Sequence, residues 1–313
     1  MGIFSRGPNP YGDRVPPELE RGRGRASSGG RGGGGGGFPG GGRMLMALVV
    51  LAIPLVTFLK NCQVNPMTGR RQSISMTAEQ EIQLGIQAAP EMIQQHHGID
   101  SDPRVRDAVE QIGQRLVRAN ELEKTPYRWQ FHALADPQVV NAFALPGGQV
   151  FITRALMNAL AEDGELEPRI AGVLGHEIGH VVGRHGAERM SKMKLMQGLT
   201  GAVLVATYDP NNASSQQQAM MAMMVGQLVN MKWGRDQELE SDTLGVGYMI
   251  RAGYHPEAMI DVMNTLDRTR GEGGRAPEFM STHPSGDHRR EEIRAAIEKW
   301  VAKNGPLPSD LKR

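Results

Sequence analysis

The sequence predicts an α+β fold that is mainly helical and contains a small sheet of about three strands. Apolar residues recur at helical spacing over long stretches, and branched and aromatic residues cluster between residues 127 and 153. The chain has 313 residues, of which 39% are hydrophobic, with a formal net charge of +1 and one cysteine, Cys62. This composition supports a real core and excludes an internal disulfide framework. It gives no reason to expect nucleic acid as a partner of the folded part.

Two segments precede the folded part. Residues 1–43 form a Gly/Arg/Pro-rich arm that we expect to be disordered, and binding of RNA or anionic lipid by this arm stays open. Residues 44–60 include sixteen consecutive uncharged residues, which as a helix would reach roughly 24 Å against a hydrocarbon core of about 30 Å. We expect residues 44–60 to be a hydrophobic membrane anchor helix. The alternatives are a buried core helix, a cleaved signal peptide or a lipid attachment at Cys62.

Positive charges are distributed unevenly around this segment. Lys60, Arg70 and Arg71 follow it closely, whereas seven arginines precede it: Arg6, Arg14, Arg21, Arg23, Arg25, Arg31 and Arg43. Cytoplasmic flanks of membrane helices carry an excess of Lys and Arg. The N-terminus is therefore expected in the cytoplasm, and the folded part is expected on the extracytoplasmic side, in the periplasm or its equivalent.

The remaining chain is predicted to be a connector, one domain and a tail. A turn-rich connector at 61–76 leads to a domain at 77–304, which is followed by a tail at 305–313. Thr77 opens the first helix of the domain as a capping box, and Asp102 caps the second. Three short strands are then predicted within YRWQFHALAD, VVNAFALP and QVFIT, and the chain beyond them is helical.

The pentapeptide HEIGH at 176–180 indicates a metal site. Because positions i and i+4 share one face of a helix, His176 and His180 can hold one tetrahedral ion, with Glu177 beside it as a general base. A chance match is the alternative, although these polar side chains would be costly to bury without a metal or other partners. If the helix continues, His185 points away from His180, which favours hydrogen bonding over ligation.

A third protein ligand is expected farther along the chain. Glu238 and Asp242 share one face of a predicted helix, whereas Glu240 faces elsewhere. One of the two carboxylates can bind the ion, and the other can accept the free N–H of a ligating imidazole. The spacing does not decide between them, and a solvated acidic face is the alternative.

Five motifs in the order NPMTGRRQ, NAFALPGGQVFIT, HEIGHVVGRH, ELESD and STHP resemble those of membrane-associated zinc metallopeptidases. These are the HtpX, BepA, LoiP and Oma types of a Ste24-like gluzincin family, and the resemblance runs from residue 65 to the C-terminus. It implies a zincin-like metallopeptidase domain with one Zn²⁺ per chain, held by His176, His180 and Glu238. It also implies that Asp242 is the carboxylate that accepts the free N–H of a zinc-bound imidazole. The family usually has alanine where Ser241 stands.

The resemblance implies further site residues. His283 and Arg289 match a His-Pro motif with an arginine six residues after the histidine, and we expect both to be catalytic. In relatives the histidine lies close to the metal, and in some it can block the open position; either side chain can stabilise an oxyanion. The residues of the family's substrate-binding edge strand correspond here to Gly148, Gln149, Val150 and Phe151.

The function implied is that of a zinc-dependent metalloendopeptidase with Glu177 as its catalytic base. Its partners would be protein or peptide substrates and a membrane contacted through residues 44–60. The resemblance suggests extracytoplasmic quality control of membrane-associated or misfolded proteins. The alternative is a zinc-fold chaperone-like or binding protein with a blocked or inactive site. Glu177 favours the enzyme, because a non-catalytic zinc site needs no base beside the metal.

Overall fold

The structure is a computed structural model that describes residues 49, 52–162, 164–204, 233–269, 277–283 and 288–313. The arm at 1–43 and most of residues 44–51 lie outside these residues. Residues 52–60 are helical, and apolar side chains such as those of Ile53 and Leu59 are exposed. Among the described residues, no helix has both the length and the apolar character that crossing a membrane requires. The anchor at 44–60 therefore stays a prediction.

The described part of the chain is mostly helical, with two small sheets. The helices are α1 Ala78–Gln95, α2 Pro103–Ala119, α3 Arg154–Ala161, α4 Leu166–Val182, α5 His185–Leu204, α6 Arg235–Arg251, α7 Ala258–Arg268, α8 Glu278–Thr282 and α9 His288–Asn304. The strands are β1 Cys62–Val64, β2 Arg71–Ser73, β3 Gln130–Leu134, β4 Ala142–Leu145 and β5 Gln149–Thr153. The predicted α+β class with a sheet of about three strands is confirmed.

The two predicted helix starts are confirmed by their hydrogen bonds. The Thr77 hydroxyl accepts from the backbone N–H of Gln80 at 3.2 Å, and the Gln80 side chain accepts from the Thr77 N–H at 3.0 Å. The Asp102 carboxylate accepts from the Arg104 N–H at 3.0 Å, and Pro103 occupies the first turn of α2. These bonds satisfy N–H groups that have no partner within their helix.

The three-stranded sheet has the order β3-β5-β4, with β3 parallel and β4 antiparallel to β5. The prediction of an edge strand at Gly148, Gln149, Val150 and Phe151 is wrong. β5 is the central strand, fully buried, and its backbone pairs on both sides, while the Gly148 carbonyl accepts from the Gln130 N–H at 3.0 Å. The two edge strands of this sheet are β3 and β4.

The predicted connector is an ordered part of the fold. β1 and β2 form an antiparallel hairpin, and Asn65 lies in its turn. The Asn65 side chain accepts from the Met67 N–H at 2.8 Å and donates to the Val182 carbonyl at 2.9 Å. The hairpin thus caps the C-terminal end of α4.

Helix α4 lies in the centre of the domain and is buried from Pro168 to Val182. It packs against α6, α7, α2 and β4. At Gly179 a Cβ atom would lie 2.8 Å from Ser241 Cα and 2.9 Å from Ser241 O, so a larger residue would push α4 and α6 apart. Glycine therefore lets the two helices approach closely at this point.

Candidate metal centre

Three elements bring four potential ligands together. Helix α4 supplies His176 and His180, α6 supplies Glu238, and His283 caps the C-terminus of α8. One nitrogen or oxygen atom of each side chain lies within 4.8 Å of the others, and all four residues are buried. His180 Nε2 is 3.0 Å from His176 Nε2 and 3.2 Å from Glu238 Oε1.

These separations fit a tetrahedral metal ion. With donor atoms about 2.0 to 2.1 Å from zinc, tetrahedral geometry places neighbouring donors about 3.3 Å apart. His176 Nε2 lies 3.7 Å from Glu238 Oε2 and 3.2 Å from His283 Nδ1, and His283 Nδ1 lies 3.0 Å from Glu238 Oε1. The nitrogen and carboxylate donor set is also one that zinc prefers.

The charge of the cluster complements a divalent cation. Three buried carboxylates, those of Glu177, Glu238 and Asp242, surround one buried guanidinium, that of Arg289, which leaves two formal negative charges. Glu177 Oε1 is buried and has no hydrogen-bond partner among the described residues. Glu238 Oε2 is also buried and makes no hydrogen bond there, although Arg289 Nη1 lies 3.0 Å away as an ion pair. Buried carboxylate oxygens without hydrogen bonds are costly, and a cation beside them would reduce that cost.

The environment of each group sets its protonation. Burial raises the pKa of Glu177, and the neighbouring imidazoles of His283 and His176 offset this only in part. Burial lowers the pKa of His180 well below its usual value, so the imidazole is neutral and its lone pair is available. Burial alone would raise the pKa of Glu238, but the neighbouring His283 and the guanidinium of Arg289 outweigh it and hold that pKa well below its usual value. Glu238 is therefore ionised, as a ligand must be.

Asp242 lies directly beside His176. Its Oδ1 atom is 2.8 Å from His176 Nδ1, so the imidazole donates there and directs its Nε2 lone pair towards the cluster. Arg289 donates to both oxygens of Asp242, at 2.8 and 2.7 Å, and its Nη1 lies 3.0 Å from Glu238 Oε2 as an ion pair. The guanidinium thus contacts two carboxylates of the site.

His283 lies against the cluster from the side of α8. Its ring stacks on Phe279 with the centroids 4.5 Å apart, and its Nε2 lies 3.5 Å from Glu177 Oε1. Its Nδ1 lies 3.2 Å from His176 Nε2 and 3.0 Å from Glu238 Oε1. His283 could therefore provide the fourth donor of a tetrahedral site that includes His176, His180 and Glu238.

The helix does not continue from His180 to His185, so the condition under which His185 would point away is not met. Helix α4 ends at Val182, Arg184 adopts the left-handed conformation with φ of 54°, and α5 begins at His185. This turn brings His185 back towards the site, with its Nδ1 2.9 Å from His180 Nδ1. His185 contacts a potential ligand rather than joining the metal-binding group, in agreement with the hydrogen-bonding role favoured from the sequence.

Sequence reasoning missed several neighbours of the cluster. The Trp233 ring stacks on His180 with the centroids 4.4 Å apart, and Phe279 supports His283. Glu240 was expected to face elsewhere and does so, but it contacts His185 and Arg70. The NPMTGRRQ motif was the one available signal for Arg70; nothing in the sequence pattern marked Trp233.

The helix with HEIGH and the glutamate from a second helix are typical of gluzincin metallopeptidases. Residues 103–297 match peptidase family M48, and the chain belongs to that family, whose members are zinc-dependent. The family predicted from the five motifs is therefore confirmed.

Curated relatives agree with this assignment. The chain is 28% identical over 263 residues to the beta-barrel assembly-enhancing protease of Escherichia coli (strain K12), covering 80% of this chain and 50% of the relative. It is 34% identical over 181 residues to mitochondrial metalloendopeptidase OMA1 of Saccharomyces cerevisiae (56% and 48% covered), and 30% identical over 194 residues to that of Schizosaccharomyces pombe (62% and 52% covered). The chain spans about half the length of these relatives.

Proposed function

We propose that the chain is a zinc-dependent metalloendopeptidase whose metal is held by His176, His180 and Glu238. The observation that carries this proposal is the Glu177 carboxylate beside that group, which is buried and whose Oε1 has no hydrogen-bond partner in the described part of the chain. A bound zinc ion would polarise the attacking water and the scissile carbonyl. A structural metal site has no use for an unpaired base at this position.

The chain's own residues divide the remaining tasks. Glu177 takes one proton from the water as its oxygen attacks the carbonyl carbon, and passes that proton to the amine nitrogen as the C–N bond breaks. The raised pKa suits this role, because the carboxyl group must hold the proton briefly. Asp242 orients His176, and Arg289 positions Asp242 and Glu238 rather than touching the substrate.

Replacing Glu177 by Gln is expected to abolish cleavage of an unfolded protein such as casein while zinc stays bound. The amide keeps the size of the side chain but accepts no proton, so a loss of at least about 10²- to 10⁴-fold in kcat is expected. Proteolysis and zinc content are measured on the same preparation. Unchanged turnover would refute the mechanism.

Glu238→Ala provides the opposite comparison. It removes a ligand, so zinc content and activity should fall together, whereas Asp236→Ala, an exposed carboxylate on the same helix, should change neither. Full zinc occupancy in Glu238→Ala at limiting zinc would show that the third ligand is another residue.

The substrate is proposed to pair with β4. The Thr153 N–H donates to the Asn141 carbonyl at 3.0 Å, and hydrogen-bonded pairs alternate along an antiparallel ladder. The N–H and C=O groups of Ala142 and Ala144 therefore point away from β5. Ala142 is fully buried, whereas Ala144 is partly exposed, so the accessible groups on this edge are those of Ala144. Ala144 also lines a narrow crevice together with His180 and Trp233. An extended peptide on this edge would lie beside the metal centre.

Ala144→Pro removes one outward N–H without removing a bond to β5. We expect KM to rise about tenfold, because a lost backbone hydrogen bond costs roughly 1 to 1.5 kcal/mol. Ala144→Ser keeps the N–H and should therefore retain the original KM. Single N-methylation of the peptide backbone provides the matching change on the substrate. If neither change raises KM, the substrate does not pair with β4.

A second candidate function rests on His283. Its Nδ1 lies 3.2 Å from His176 Nε2 and 3.0 Å from Glu238 Oε1, so it could take the position beside the metal that a water molecule needs, as in a zinc-fold binding or chaperone-like protein with a blocked site. We propose instead that His283 holds a functional peptidase closed and moves away when substrate binds.

His283→Ala is then expected to raise the turnover of casein several-fold, because the fourth corner is open without a conformational step. His288→Ala, an exposed histidine in the same segment, is the control and should leave turnover unchanged. A fall in kcat would instead assign His283 to oxyanion stabilisation. No cleavage by either protein, with zinc bound, would favour the binding protein.

We also propose that residues 44–60 attach the enzyme to a membrane with the N-terminus in the cytoplasm. Exposed apolar side chains in the described half of this segment support attachment, since Ile53 is 59% and Leu59 62% exposed. The Escherichia coli relative is named for the assembly of beta-barrels, and we propose that the substrates of this chain are membrane-associated or misfolded proteins outside the cytoplasm.

The full chain should stay with membranes after alkaline extraction, and a reporter fused after Arg313 should register outside the cytoplasm. Replacing Ile53 and Leu59 by lysine should release the protein, because charged side chains are costly in the hydrocarbon core. A cytoplasmic reporter signal would reverse the orientation, and release of the unchanged chain would exclude attachment.

A further inference from the structure

The two ligand histidines are supported in different ways. His176 donates to Asp242, which in turn binds Arg289. His180 is supported through one additional residue. His180 Nδ1 lies 2.9 Å from His185 Nδ1, and His185 Nε2 lies 2.8 Å from Glu240 Oε2. As with Asp242, an arginine contacts the carboxylate, because Arg70 Nε lies 2.8 Å from Glu240 Oε2. We refer to His180, His185, Glu240 and Arg70 as the His180 series.

Only one assignment of protons satisfies this series. With Nε2 of His180 facing the metal, its proton is on Nδ1 and is donated to His185 Nδ1. The proton of His185 is then on Nε2 and is donated to Glu240. Each neutral imidazole thus donates once. A carboxylate at the end of the series fixes both tautomers.

Glu240 is held between its two partners in the series. Its Oε2 atom lies 2.8 Å from His185 Nε2 on one side and 2.8 Å from Arg70 Nε on the other. Arg70 meets Glu240 as an ion pair and also contacts Glu188, while its Nη2 donates to Gln72 at 2.9 Å. The guanidinium therefore has a fixed position.

Arg70 comes from the hairpin turn at residues 65–70, outside the segment that matches the peptidase family. This turn is held rigidly. Asn65 is 1% exposed, its carbonyl accepts from the Gly69 N–H at 2.8 Å, and its side chain binds the Val182 carbonyl at the end of α4. Asn65 fixes the turn on the same helix that carries His180.

We propose that Arg70, Glu240 and His185 are positioning residues that orient His180 for zinc, so that the turn at residues 65–70 is a working part of the metal centre. This inference rests on the proposed function, because it concerns the same site. It assigns a role to the NPMTGRRQ motif that the catalytic residues leave unexplained.

The test measures zinc affinity by competition with a chelator, using the full chain. His185→Phe and Glu240→Gln should weaken zinc binding by about 10- to 100-fold, and Arg70→Ala by about tenfold. Arg71→Ala is the matched control, since Arg71 neighbours Arg70 on the hairpin and is exposed. It should leave the affinity unchanged, and Arg70→Lys should restore part of it.

Two further measurements distinguish the positioning role of Arg70 from a purely structural one. If Arg70 only stabilised the fold, Arg70→Ala would lower the melting temperature of the zinc-free protein and leave the absorption spectrum of the cobalt-substituted protein unchanged. We expect that spectrum to shift. We also expect Arg70→Ala to add no further loss of affinity in a Glu240→Gln background, because the two residues act in one series. If the double variant instead lost zinc affinity by the product of the two single-variant losses, the proposal would be overturned.

The outcomes also separate this inference from the proposed function. Intact zinc affinity in Arg70→Ala, with cleavage lost in Glu177→Gln, would refute the His180 series and leave the peptidase assignment in place. Weakened affinity in Arg70→Ala, with no cleavage by the unchanged chain or by His283→Ala, would support the series and refute the peptidase.

Discussion

At Gly179 the two helices that carry the proposed ligands come so close that a single added carbon would lie 2.8 Å from Ser241 Cα. Ser241 stands between Glu240 and Asp242, so this approach determines which side chains of α6 lie on either side of α4. Asp242 contacts His176 directly, and Glu240 is linked to His180 through His185. Glu238, one turn before Asp242, faces both histidines. The arrangement of carboxylates thus follows from the packing of two helices.

That packing buries several ionisable groups, and their desolvation costs several kcal/mol for each charge. Arg289 offsets part of this cost by binding Asp242 and pairing with Glu238, whereas Glu177 Oε1 keeps no hydrogen-bond partner among the described residues. A divalent cation would pair with the carboxylate oxygens and with the histidine lone pairs. Metal binding and stability of this domain are consequently linked, because the folded chain holds the ligands together and the unfolded chain does not.

Local patterns predicted those parts of the fold that depend on local interactions. Caps at Thr77 and Asp102, the helical face shared by His176 and His180, and the family all followed from residues near one another in sequence. The choice of Glu238 required the resemblance, since two carboxylates a turn apart are equivalent by spacing. The edge-strand assignment failed because strand order depends on pairing between distant segments, here β3 with β5. The position of His185 was missed because one residue, Arg184, in the left-handed conformation redirects the chain.

The two arginines that hold carboxylates beside the metal centre come from distant parts of the folded chain. Arg289, near the C-terminus, holds the partner of His176, whereas Arg70, in the hairpin after the hydrophobic segment, holds the partner of His185. The hairpin also contacts that segment, since the Ser73 hydroxyl donates to the Phe58 carbonyl at 2.6 Å. Both guanidinium groups are present together only after the domain has folded from end to end. A chain that has not yet formed α9 would therefore lack a complete set of oriented ligands, so the proposed activity depends on completion of the fold.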